Sequence, residues 1–376
     1  MEEMMSGQLR LRAVRWFIRA LFGLCCVFPP VAVWAQPFSG LYVFGDSLSD
    51  SGSDLALSTA LYNATGGGFP IVPGAPANLP GRFSNGKVAV EYLADSLGLA
   101  LSPHYLTPPP PLSTGLTGGT NFAQGGATTG LGNAALPGTL PPPAPPLATG
   151  FKGITAQVND YKNSVVLADP AALYVVWGCP NDFIHPGATP TLPACVGAAN
   201  EAVCTAVTNL VNAAGVLGGL GAKHILVPNL PDLGRTPRSL AAGPVAVAQA
   251  HQLSVGFNMA LAAALTGLSQ IFPGAIIPFD AFSLFEKVGQ NPAVFGLSNV
   301  TDPCLTGSSA DSTSLISAAC AAAGPDQYLF WDDIHPTTRT HMILGNQFSA
   351  AVPEPTTLAL LGLGLAGLGL SRRKHA

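Results

Sequence analysis

Ser47, Asp332 and His335 are the residues whose types and spacing could do chemistry together. Ser47 stands in Tyr42-Val43-Phe44-Gly45-Asp46-Ser47-Leu48-Ser49-Asp50, where a short apolar run ends at a glycine followed by a polar pair. A serine leaving the C-terminal end of a buried strand lies where open α/β sheets place their active sites. Its hydroxyl becomes a nucleophile only with a base to take the proton, a carboxylate to hold that base, and donors for the oxyanion that forms. Asp332 and His335 offer the carboxylate and the base three residues apart, close enough to meet if the segment takes a helical turn. His104, His224, His251 and His341 have no carboxylate placed that way, and His185 has only Asp182 near it.

One stretch offers a donor for that oxyanion. Gly118-Gly119-Thr120-Asn121-Phe122-Ala123-Gln124-Gly125-Gly126-Ala127-Thr128 is dense in glycine, so its backbone can approach a ligand closely or take positive φ. Read plainly it is a flexible loop; read for chemistry, it aims a backbone N–H at an oxyanion. Asn181 follows the strand-like Leu173-Tyr174-Val175-Val176-Trp177, at the same sheet edge as Ser47.

These residues need a scaffold, and the periodicities supply one. Strands are expected at Leu41–Phe44, Leu173–Trp177, His224–Val227 and Ala275–Phe279. Helices are expected over Ser51–Asn63, Val88–Leu97 (N-cap Asn85, C-cap Gly98), Val196–Leu217, Val245–Leu268 and Thr338–Ala350. Strands alternating with helices imply crossover connections and a mostly parallel sheet. The proline tracts Pro108–Pro111 and Pro137–Pro146 read as exposed loops, and the stretches around them, Leu106–Leu112 and Leu136–Leu147, are expected to wall the cleft.

The chain's 376 residues suffice for a large core, since 48% are hydrophobic and only 10% charged. A net charge of −4 without a basic stripe argues against a nucleic-acid partner. Gly 43 and Pro 35 point to long irregular loops rather than a helical bundle. No histidine or cysteine spacing suggests a metal site, and no cofactor is called for.

Both ends read as processing segments. Arg10, Arg12, Arg15 and Arg19 precede an apolar run from Ala20 to Trp34 and then Ala35, which suits a signal peptide over residues 1–35; uncleaved, it would anchor the chain. The mature domain then spans 36–351. Val352-Pro353-Glu354-Pro355, an apolar run from Thr356 to Leu370 and Ser371-Arg372-Arg373-Lys374 resemble the PEP-CTERM sorting signal of Gram-negative bacteria, over 352–376. That resemblance implies a short transmembrane segment acting as a transient anchor, an exosortase-type processing enzyme as partner, and a destination at the cell surface, in the extracellular matrix or in the medium. The export expected from both ends permits disulfides. The local pairings are Cys304 with Cys320 and Cys195 with Cys204, leaving Cys179 odd, but spacing alone does not fix them.

Taken in order, Phe44-Gly45-Asp46-Ser47-Leu48-Ser49-Asp50, Asn121-Phe122-Ala123-Gln124-Gly125-Gly126-Ala127, Asn181-Asp182 and Asp332-Asp333-Ile334-His335-Pro336 resemble the four blocks of the GDSL, or SGNH, hydrolases. Gly81-Arg82-Phe83-Ser84-Asn85-Gly86 is similar to a block of that family's lipase-like branch. The resemblance implies a flavodoxin-like three-layer α/β/α sandwich with a mostly parallel sheet of about five strands. It also implies Ser47 as nucleophile, His335 as base, Asp332 as orienting carboxylate, and an oxyanion hole made by the N–H groups of Ser47 and Gly126 (or Gly125) and the Asn181 amide. Loss of one such donor typically costs about 10²–10³ in rate, so the resemblance leads one to expect Asn181→Ala to cripple rather than abolish. Asp46, Asp50, Asp182 and Asp333 read as supports. The absence of a Gly-x-Ser-x-Gly elbow around Ser47 speaks against the α/β-hydrolase fold. Two positions depart from the family pattern: Cys179 stands where glycine is usual, and Ser53 where asparagine is.

The expected activity is that of an exported serine esterase or lipase acting on a lipid or an acylated polysaccharide. The alternatives are an acyltransferase or deacetylase working on extracellular polysaccharide, and a matrix-associated protein that keeps the fold without catalysis.

Overall fold

The computed structural model describes residues 38–104, 119–134, 150–184 and 201–352. The two terminal segments, both proline tracts, His185 and Cys195 lie outside the described residues.

In chain order, β1 (Leu41–Gly45) leads into α1 (Ser53–Ala64) and α2 (Ala89–Leu97). Two three-residue strands follow, β2 (Leu101–Pro103) and β3 (Gly119–Asn121). Then come α3 (Ile154–Ser164), β4 (Leu173–Trp177), the short α4 (Pro180–Ile184), α5 (Glu201–Gly219) and β5 (Ile225–Pro228). After α6 (Pro237–Ala242) and the long α7 (Pro244–Ile271) lie β6 (Ile276–Phe279) and α8 (Ala281–Gln290). The chain closes with β7 (Asn299–Pro303), α9 (Ala318–Ala323), β8 (Tyr328–Phe330) and α10 (Thr338–Ala351).

Six strands form one sheet in the order β2-β3-β1-β4-β5-β6, every neighbour pair parallel. The count exceeds the expected five because β2 and β3 are three residues long and sit among glycines and prolines, where no alternation can register. β1 and β4 are buried along their whole length, as expected of parallel strands covered on both faces. Successive side chains divide between the layers. Tyr42, Phe44, Tyr174 and Val176 join the core beneath α3, α5 and α7, whereas Leu41, Val43, Leu173 and Val175 join the core beneath α2, α8 and α10. The result is the expected three-layer sandwich. From β1 the chain first builds β2 and β3 on one side, then crosses to β4 on the other, so the switch in strand order falls beside β1. The crevice at such a switch point is where open α/β sheets bind ligands.

α2 ends as expected, with Gly98 in the left-handed conformation at φ 67°. Its start differs. Val88 occupies the N-cap and its N–H donates to Glu91, while the Asn85 side chain accepts the Thr338 N–H, 2.9 Å away, at the start of α10. Asn85 therefore ties two helices distant in sequence instead of capping its own. α10 packs against α2 so closely that a Cβ on Gly345 would lie 2.5 Å from the Tyr92 Cβ.

β7 and β8 pair separately from the main sheet, and a disulfide joins Cys304 to Cys320 between them. Cys204 is also disulfide-bonded, and Cys179 is a free, buried thiol.

Candidate active site

β1 delivers Ser47 to the C-terminal edge of the sheet. The strand can end there because position 45 is glycine: a Cβ would fall 2.5 Å from the Trp177 carbonyl oxygen. Beyond it, Asp46 accepts the Leu48 N–H through Oδ1 at 3.0 Å. Asp50 receives four backbone donors, from Gly52, Ser53, Asp54 and Gly125. Both aspartates thus hold the turn around Ser47, as expected for supports.

The other half comes from the segment after β8. Phe330 and Pro336 form an antiparallel bridge, and the Trp331 N–H donates to the His335 carbonyl at 2.7 Å. Within this tight turn Asp332 Oδ1 accepts the N–H groups of Ile334 (3.0 Å) and His335 (2.7 Å). The segment is thus not the helical turn considered from the spacing; the aspartate's own side chain folds the backbone and sets the imidazole over the carboxylate. His335 Nδ1 lies 2.8 Å from Asp332 Oδ2, and His335 Nε2 lies 2.8 Å from Ser47 Oγ. A carboxylate can only accept, so Nδ1 carries the proton and Nε2 is left to accept from the serine hydroxyl.

Three further elements steady the histidine. Phe83 stacks on the imidazole with centroids 5.3 Å apart, and Ser84 Oγ donates to the Pro336 carbonyl at 2.9 Å. The Gly-Arg-Phe-Ser-Asn-Gly block therefore acts by holding the histidine loop. Asp333 pairs with Arg238 of α6 at 2.7 Å, outside the line from Asp332 to Ser47. Ser309, which no sequence pattern indicated, is fully buried and donates to Asp332 Oδ2 through both its N–H (2.8 Å) and its Oγ (2.6 Å). The signal that could have found it is indirect: it sits between two cysteines a short distance before Asp332.

Burial and charge work against each other here. Burial alone would raise the Asp332 carboxyl, but the His335 charge and the bonds from His335 and Ser309 outweigh it and hold the group well below the usual carboxylate range. Burial would depress His335, yet Asp332 overrides it and raises the imidazole above its ordinary value. Burial pushes Asp46 up to about 6, despite the Leu48 N–H and the nearby His335.

The expected oxyanion donors fall on adjoining loops. The Gly125 N–H is taken by Asp50 Oδ2 at 3.1 Å, which separates it from Gly126. Gly126 takes φ 73°, a conformation favouring glycine. Asn181, at the start of α4, donates one amide proton to the Ala127 carbonyl at 3.0 Å, linking the two loops. Asp182 supports the same region by accepting the N–H (2.9 Å) and the hydroxyl (2.7 Å) of Thr129. Among the described residues no group of three His, Cys, Asp or Glu side chains is arranged to hold a metal ion.

A cavity of about 360 Å³ opens beside Ser47, Asn181 and His335. Phe183, Leu230, Leu233, Leu253, Phe285 and Ile334 give it apolar walls, and Arg238 and Gln249 add polar groups.

The GDSL-like lipase/acylhydrolase model matches residues 41–348, and the PEP-CTERM protein-sorting motif matches residues 351–374. An uncharacterised protein of Pseudomonas putida is 30% identical over 87% of this chain, which spans only 50% of that protein's length. A GDSL esterase/lipase of Arabidopsis thaliana is 28% identical over 83% of this chain and 91% of its own. The phosphatidylcholine-sterol acyltransferase of Aeromonas hydrophila is 27% identical over 88% of this chain and 94% of its own. With a family match extending from β1 to the last helix, the chain belongs to the GDSL-like lipase/acylhydrolase family.

Proposed function

We propose that the protein is an exported serine esterase that cleaves carboxylic esters through an acyl-enzyme on Ser47. The observation that carries this reading is the continuous path from Asp332 through His335 to Ser47, with both links at 2.8 Å.

In this reading Ser47 Oγ attacks the ester carbonyl carbon while its proton passes to His335 Nε2. Asp332 stabilises the imidazolium that results. The Ser47 and Gly126 N–H groups and the Asn181 amide take the oxyanion. When the intermediate collapses, the C–O bond to the alcohol breaks and His335 returns the proton to the leaving oxygen. Water then repeats the sequence against the acyl-enzyme and frees the acid. The apolar cavity beside Ser47 supports an apolar acyl group, as in a lipid ester, more than an acetyl group on a polysaccharide. The sorting motif supports export, transient membrane anchoring and an exosortase-type processing partner. The terminal boundaries proposed are a signal peptide over 1–35 and a sorting segment over 352–376.

The similarity to an acyltransferase supports a second reading, in which an acceptor hydroxyl replaces water at the same acyl-enzyme. Hydrolysis of p-nitrophenyl acetate and butyrate by the wild type and by Ser47→Ala tests the first reading, since equal turnover by both would overturn it. Product analysis with an added alcohol separates hydrolysis from transfer.

A further inference from the structure

We propose that Ser309 is a positioning residue for His335, carried to the Asp332 carboxylate by the loop that the Cys304–Cys320 disulfide closes. The inference rests on the serine-hydrolase reading above and adds a group that lies in none of the family's sequence blocks.

The direction of each hydrogen bond follows from what the partners can offer. Asp332 Oδ2 accepts from Ser309 N–H at 2.8 Å, from Ser309 Oγ at 2.6 Å and from His335 Nδ1 at 2.8 Å. The Ser309 hydroxyl proton must therefore point at the carboxylate, and its oxygen, 3.2 Å from His335 Nδ1, presents a lone pair to that N–H. The hydroxyl touches both members of the pair. It shares the charge of Asp332 and restricts the carboxylate to the rotamer that faces Nδ1. Without it, Oδ2 keeps one backbone donor and the imidazole.

The loop is built to place this residue. Its first residues are stitched to the segment before Asp332: Cys304 N–H donates to the Phe330 carbonyl (3.1 Å) and Leu305 N–H to that of Trp331 (2.7 Å). The Ser309 carbonyl accepts from Ala75 N–H (3.1 Å) and from Asn78 Nδ2 (2.7 Å). Asn78 Oδ1 accepts from Trp331 Nε1 at 2.8 Å, so one side chain fixes Ser309 relative to the residue before Asp332. Cys304, Cys320, Tyr328 and Trp331 form the small apolar core under the loop.

The test is steady-state hydrolysis of p-nitrophenyl butyrate from pH 5 to 9 by the full chain and its variants. The charged and titratable neighbours of His335 are Asp332, Asp333, Asp46 and His341, and no variant used here alters them. Ser309→Ala is expected to lower kcat about tenfold, a small part of what acid–base catalysis supplies. KM should stay within about twofold, because the hydroxyl does not reach substrate. The acid limb should move to lower pH, because the imidazolium loses the hydroxyl lone pair at Nδ1 and the fixed orientation of its carboxylate. Ser309→Thr, which keeps the hydroxyl, should restore both kcat and the limb. The double variant Cys304→Ala/Cys320→Ala releases the loop with Ser309 intact and should reproduce the Ser309→Ala signature.

A Ser309→Ala enzyme with wild-type kcat, or with lowered kcat and an acid limb that stays or moves up, overturns the proposal. If Ser309→Ala does not fold, unchanged kcat and acid limb in the double cysteine variant overturn it instead. Ser47→Ala, measured alongside, keeps the failures apart. Activity retained there defeats the hydrolase reading, whereas activity lost there with Ser309→Ala unaffected defeats only the role of Ser309.

Discussion

The carboxamide of Gln157 pairs with both backbone polar groups of Gly45. The Gly45 N–H donates to Oε1 at 2.9 Å, and Nε2 donates back to the Gly45 carbonyl at 2.9 Å. Gly45 is the last residue of β1, two before Ser47, and Gln157 is fully buried on α3. A helix side chain thus does what a further strand residue would do, and it fixes where the chain leaves the sheet. Gln157→Leu would leave the Gly45 N–H without a partner, while the carbonyl keeps the Gln124 N–H at 3.2 Å. One stranded buried donor costs about 1–3 kcal/mol. Urea unfolding should show that loss of stability, with kcat falling several-fold because the Ser47 turn loses its anchor. An unchanged unfolding midpoint would mean that the pairing contributes nothing net.

The balance at His335 sets the pH dependence of the proposed reaction. The base must be neutral to accept the Ser47 proton, so kcat/KM should fall as pH drops through the His335 pKa. Burial lowers that pKa, but Asp332 raises it further, so the acid limb should lie above the ordinary imidazole value of about 6.5. Asp332→Asn removes the raising charge and leaves the burial, so its limb should move to lower pH. The plateau rate should drop by roughly 10³–10⁴, since the imidazolium loses its counter-charge and the tautomer its director. A pH–rate profile of both enzymes decides this, and a limb that does not move removes Asp332 from the role.

Much of this arrangement was legible in the chain, for identifiable reasons. Ser47 was visible because an apolar run stops at a glycine, and Asp332 and His335 because a carboxylate stands three residues before an imidazole. The contact they make, however, depends on an aspartate-centred turn and a β-bridge rather than the helical geometry the spacing suggested. Gly81 to Gly86 was recognisable as a block, yet its work is visible only once Phe83 stacks on His335 and Asn85 reaches Thr338. Ser309 and Gln157 left no local signature, since each acts on a residue brought near by the fold alone.

His341 should make the protein acid-labile. Its side chain is fully buried beside His335, and Nδ1 accepts the Ala89 N–H at 3.2 Å, a bond that only the unprotonated nitrogen can make. Burial first, then the charge on His335, lower its pKa to about 3. The unfolded chain binds a proton below about 6.5 while the folded one does not, so stability is present above that pH and is lost between 6.5 and 3. From pH 7 to pH 4 this amounts to about 3 kcal/mol. In His341→Gln, whose carbonyl can still accept from Ala89, the fall in unfolding free energy between those pH values should be smaller by about that amount. Equal falls in the two proteins would show that His341 is not held neutral.

Cys179 stands where the family pattern has glycine and takes φ 139° there, alone among the described non-glycine residues in having positive φ. Two effects oppose each other. The backbone conformation is strained for any residue with a Cβ, at about 1–3 kcal/mol. The thiol, fully buried in the core beneath α3 and α5, recovers part of this as a small apolar group. Burial, then the nearby Asp182 and Asp46, push the thiol pKa well up, so it stays protonated and inert rather than poised for chemistry. Cys179→Ala keeps the strain and loses the sulfur, so it should be destabilised. Cys179→Gly loses the sulfur but releases the strain, so it should be more stable than Cys179→Ala by about 1 kcal/mol. Both should retain the hydrolytic rate, since the Asn181 amide that follows is held by Ala127 rather than by the thiol. Thermal unfolding of the three proteins measures the difference, and an alanine variant as stable as the glycine variant would show that position 179 bears no backbone strain.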